Sequence, residues 1–162
     1  PDAISPTKFH NSVHNAAAGY WTIGHGCMHA TTAISASDAS FAQALLEAMT
    51  QLACGADAVL LVAYDIAARG ALASLPHGDG LLGGALVLSS LRQPAGASAS
   101  TTGLQLTLRE GSAPANEGAL HAIAGANAMA PMLAMFEALA RGTPQTFLKA
   151  GPGRLLHLEL QG

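Results

Sequence analysis

Few side chains in this sequence have the type and placement to do chemistry, and the foremost is Ser37, in the run ISASDASF. It stands where a short apolar stretch gives way to one with helical spacing. A strand-to-helix turn can aim a side chain at a ligand beyond the strand ends, beside the partial positive charge of a helix N-terminus. A hydroxyl there becomes a nucleophile only when a base such as histidine takes its proton. Which of the seven histidines could reach it is not legible from the residues. The same serine, with Asp38 and Ser40, can instead accept hydrogen bonds from the first free N–H groups of the helix, and capping is the commoner use. Asp38 beside it would also repel an incoming carboxylate.

Histidine and cysteine offer a second chemistry, metal binding. His10 and His14 are four residues apart and would share one helix face, while His25, Cys27 and His29 follow in a glycine-punctuated loop. Neither group has a familiar zinc spacing, and no carboxylate accompanies them. Hydrogen bonding within loops or at a subunit interface is the expected use, helped by Asn11 and Asn15, and no metal or cofactor is expected. His77, Gly78 and Asp79 lie among turn formers and read as a turn. The glycines at 78, 80, 83 and 84 are not a phosphate loop, because no Lys-Ser/Thr pair follows them.

The elements that must position Ser37 are read from residues 31–65. Residues 31–36, TTAISA, are small and apolar and predict a strand buried on both faces. From Phe41 the residues Phe41, Leu45, Met49 and Leu52 form one helical stripe. Gly55 suits the left-handed residue that ends such a helix, and residues 59–62, VLLV, predict a second buried strand. A crossover of this length joins parallel strands, which makes the fold α/β with helices covering a sheet.

Upstream, residues 8–20 predict a helix with Phe9, Val13 and Ala17 on one stripe, ended or bent at Gly19. Residues 20–23, YWTI, form an apolar knot. Downstream, residues 83–91 read as a strand, 93–102 as a loop, and 104–109, LQLTLR, alternate as a strand with one wet face. Residues 116–124 predict a helix. So do 128–140, where Met129, Met132, Leu133, Phe136 and Leu139 make a core stripe rather than a lipid contact. Pro131 belongs in that helix's first turn and Gly142 closes it. Residues 146–150 and 154–160 predict a hairpin around Gly151-Pro152-Gly153.

The chain has 162 residues, half of them hydrophobic and a tenth charged, enough for one domain with a core. So few charges imply an apolar face covered by another subunit. A formal charge of −3 without a Lys/Arg cluster argues against nucleic acid. No apolar run approaches the roughly 18 residues of a membrane span, and no basic-then-apolar leader is visible. Two cysteines do not make a disulfide framework, and a cytoplasmic setting fits them.

Taken together, SPTKFHNSVHNAAAGYWTIGHG, TTAISASDASFAQALLEA and ADAVLLVAYD resemble the β-ketoacyl synthase family, in particular its short N-terminal-domain-like chain length factors of aryl polyene clusters. DGLLGGALVLSS resembles the family's glycine-rich turn into a strand. The resemblance spans about residues 5–91 well and runs more loosely to 160. It implies an α/β, thiolase-like half with a mixed sheet flanked by helices. It further implies that a strand–helix unit is missing before Ser5, so that residues 1–162 are one β-ketoacyl synthase N-terminal-like domain, incomplete at its start.

Condensing enzymes place a cysteine nucleophile in the turn into the central helix, where the dipole favours thiolate. Aligning on Gly55 and Asp57 sets Ser37 in that place. The family's catalytic histidines belong to the other half of the fold. The resemblance therefore implies a non-catalytic subunit that pairs with an active ketosynthase, meets acyl carrier protein and limits chain length. Its interface would comprise Phe9, His10, Val13, His14, Tyr20, Ser35 and Phe41. The alternatives are an acyltransferase or thioesterase acting through Ser37, and an idle homodimeric scaffold.

Overall fold

The computed structural model describes residues 5–68, 80–90, 102–124 and 127–161 of the chain. It divides into two compact units, Pro1–Ser35 and Ala36–Gly162. The expected turn at His77–Asp79 and most of the expected loop at 93–102 lie outside the described residues.

The first unit is a pair of short helices, α1 (Pro6–Ser12) and α2 (Ala16–Gly24). Ser5 caps α1 by accepting from the Lys8 N–H, and Pro6 occupies the position where a missing N–H costs nothing. The single helix expected over 8–20 is therefore broken. Ser12 turns its hydroxyl onto the Phe9 carbonyl and Val13 adopts an extended backbone, the competition with helix that such polar side chains offer. Nor does Gly19 end anything, since α2 runs through it to Gly24. Tyr20 ties the helices together: its hydroxyl donates to Asn11 Oδ1 at 2.8 Å, and His10 meets its ring edge-on at 5.5 Å. No residue of either helix is buried.

The second unit is built on α3 (Ser40–Ala53). Phe41, Ala42, Leu45 and Ala48 turn inward, with Leu45 fully enclosed. Burying a side chain of that size stabilises by about 1.5–3 kcal/mol. The buried stripe thus follows Phe41 and Leu45 as expected but continues through Ala48, leaving Met49 and Leu52 half-buried. The helix ends at Cys54 and Gly55, whose φ of 106° lets Ala56 return its N–H to the Gln51 carbonyl.

Two sheets pair in this unit. In the first, β1 (Ala58–Ile66) runs antiparallel to β2 (Leu81–Ser89), with Leu61 opposite Leu86 and Tyr64 opposite Gly83. In the second, of order β3-β5-β4, the strands β3 (Gly103–Glu110) and β4 (Gln145–Gly151) both run antiparallel to β5 (Arg154–Gln161). The expected strands at 83–91, 104–109, 146–150 and 154–160 are present with small shifts of their ends. Between β3 and β4 come α4 (Ala119–Ala124), a 3-10 turn (Ala130–Met132) and α5 (Leu133–Arg141), with Gly142 left-handed at φ 64°. Pro131 sits in the first turn of this helical segment, and Met129, Met132 and Leu133 are core.

Two expectations about the central crossover fail. Residues 31–35 form no strand; all but Ile34 are exposed. A strand exists only where a neighbouring backbone completes its ladder, and β1 pairs with β2 instead. Thr and Ala side chains also bury too little area to hold the segment down. Nor is β1 buried on both faces. Leu61 and Ala63 point inward, while Leu60, Val62, Tyr64 and Ile66 alternate outward and are about half exposed. A continuous apolar run cannot by itself distinguish one covered face from two. No helix among the described residues is long and apolar enough to cross a membrane.

Candidate functional site

Ser37 is exposed at the turn leading into α3, and it is the one non-glycine among the described residues with a positive φ, 53°. For an L-residue that conformation costs about 1–2 kcal/mol, so the surroundings must impose it. Ser40 does so. Its buried hydroxyl accepts from the Ala36 N–H at 2.7 Å and donates to the Ser37 carbonyl at 2.6 Å, clasping both sides of Ser37. The Ser40 N–H adds a 3.1 Å bond to the same carbonyl, and the Ala39 N–H bonds to Ala36. The expected capping by Ser37 is not what forms: the cap position of α3 is Ala39, with no side-chain bond. Ser40, the first residue of the helix, closes the turn from inside, and the Ser37 hydroxyl is engaged by none of the described residues.

The corner is fastened to β4 at two points. Asp38 Oδ2 pairs with Lys149 Nζ at 2.5 Å, and Gln43 Nε2 donates to the Ala150 carbonyl at 2.5 Å. The Asp38 carboxylate is thereby matched by a cation, which offsets the repulsion expected from it. Sequence reasoning missed Lys149 and Gln43. Both act over more than a hundred residues of chain, so no local pattern could announce them.

Among the described residues of this unit no base is bonded to the corner. Among the described residues of this unit the histidines are His121 and His157, and neither hydrogen-bonds Ser37. His157 is buried, stacked on Phe147 with ring centroids 4.8 Å apart, its Nε2 against Gln145. Ser37 Oγ has no hydrogen-bond partner among the described residues, and neither of two clefts of about 340 and 300 Å³ is lined by it. A serine hydroxyl attacks only when a base takes its proton.

The remaining expected site residues are dispersed. Phe9, His10, Val13, His14, Tyr20 and Ser35 are exposed in the first unit. Phe41 is not available to a partner. It is 3% exposed and packs on Phe136 in the core, because the first turn of α3 faces inward. His14 leaves the helix face of His10, since it falls in the break between α1 and α2. His25 lies against Trp21 with centroids 4.9 Å apart. Among the described residues no group of three His, Cys, Asp or Glu side chains could hold a metal ion.

Comparison with known proteins adds two findings. A family model described as β-ketoacyl synthase, N-terminal domain, matches residues 1–143. Among solved structures, the chain is similar to one from the ketosynthase (ApeO) in complex with its chain length factor (ApeC) from Xenorhabdus doucetiae. Identity is 24%, the TM-score is 0.69, and the match covers 97% of this chain and 58% of that one. At that identity the likeness carries the fold, a mixed α/β arrangement of ketosynthase, thiolase-like type. No curated protein matches the chain.

Proposed function

The chain belongs to the β-ketoacyl synthase family, and from that premise we propose that it is a non-catalytic ketosynthase-like subunit, a chain length factor, pairing with an active ketosynthase in fatty acid or aryl polyene-type polyketide biosynthesis. One observation carries this reading. The corner that the family resemblance aligns with the condensing-enzyme cysteine is clasped by Ser40 and presents an exposed serine, to which no base is bonded among the described residues of its unit.

A serine hydroxyl is far less acidic than a thiol and does not become a nucleophile unaided. In this reading the partner's cysteine and histidines perform the decarboxylative condensation on substrates carried by acyl carrier protein. This subunit covers an apolar face of the partner and limits the acyl tunnel. Limiting a chain requires side-chain bulk at the tunnel's end and no reactive group. The surface offered comprises Phe9, His10, Val13, His14, Tyr20 and Ser35, all exposed in the first unit. Aromatic side chains of this kind dominate interface energetics. The setting is the cytoplasm, in keeping with the free thiols of Cys27 and Cys54.

Co-expression with the cognate ketosynthase, one subunit tagged, tests the pairing. The two should elute together in equal amounts. A stable monomer indifferent to the ketosynthase would remove the proposal, and a tight dimer of this chain alone would favour an idle homodimeric scaffold.

One feature favours a second reading, an acyltransferase or thioesterase acting through Ser37. Its left-handed backbone is the kind of strained turn on which hydrolases display a nucleophilic serine. A fluorophosphonate adduct on Ser37, absent from Ser37→Ala, would establish it; an unmodified intact mass excludes it.

A further inference from the structure

We draw no further inference here: the strongest candidate, the uncharged outer face of the β1–β2 ladder formed by Leu60, Val62, Tyr64, Ile66, Leu81 and Val87, carries none because nothing in the structure shows what covers it.

Discussion

At the scale of single residues, the corner separates two roles that the sequence runs together. Ser37 and Ser40 both looked like helix caps; only Ser40 is engaged, and it works from within the helix. Replacing Ser40 with Ala removes both side-chain bonds and strands the Ala36 N–H. At roughly 1 kcal/mol per bond the loss should be about 1–2 kcal/mol. That corresponds to a fall in Tm of about 2–8 °C for a chain of this size. Ser37→Gly should do the opposite or nothing, since relief of the left-handed strain offsets the extra freedom glycine gains on unfolding. A Ser37→Gly protein that melts several degrees lower would mean that the hydroxyl supports the turn after all. Thermal melts of the two variants side by side decide the matter. The position of Ser37 at a turn before a helix was legible from the change in periodicity around it. Its freedom was not, because that depends on which neighbouring hydroxyl wins the local hydrogen bonds.

At the scale of elements, the positions of most helices and strands after residue 40 follow local patterns, while burial does not always follow: β1 covers one face and α4 buries no residue. The strand over 104–109, Pro131 in a first turn and Gly142 at a helix end rest on local signals and came out where expected, though the alternation lapses at Leu108, which is exposed. Elements that depend on a remote partner did not. Residues 31–36 need a ladder and form no strand, so the parallel crossover expected between them and 59–62 is not made; β1 pairs antiparallel with β2. The same limit hid the contact that holds α4. Glu137, on α5 and buried, accepts the Leu120 N–H at 2.8 Å across 17 residues. Gly118 passes so close that an added Cβ would overlap the Glu137 carboxylate. Gly118→Ala must therefore push the carboxylate off the helix end, at a cost of about 1–3 kcal/mol. Glu137→Gln keeps an acceptor in place and should cost less. Urea denaturation of both variants checks the order; equal losses would show that the carboxylate's charge, not its position, matters.

For the whole molecule, the sparse charge and the exposed aromatic side of α1 and α2 are the properties that a partner must answer. Phe9→Ser and Tyr20→Ser should each weaken retention of the ketosynthase at least tenfold, the size of effect seen when an aromatic anchor is removed. The circular dichroism of Phe9→Ser should stay unchanged, because Phe9 is exposed, whereas Tyr20→Ser also removes the Asn11 bond that ties α1 to α2. Retention unaltered by both changes would move the interface elsewhere. The most direct measurement is turnover by the cognate ketosynthase purified with this subunit, in which Ser37 is intact or replaced by alanine. A subunit that acts by shape alone predicts the same rate and the same product chain length from both pairs. A rate lost with the hydroxyl, or an acyl group found on Ser37 by mass, would contradict it.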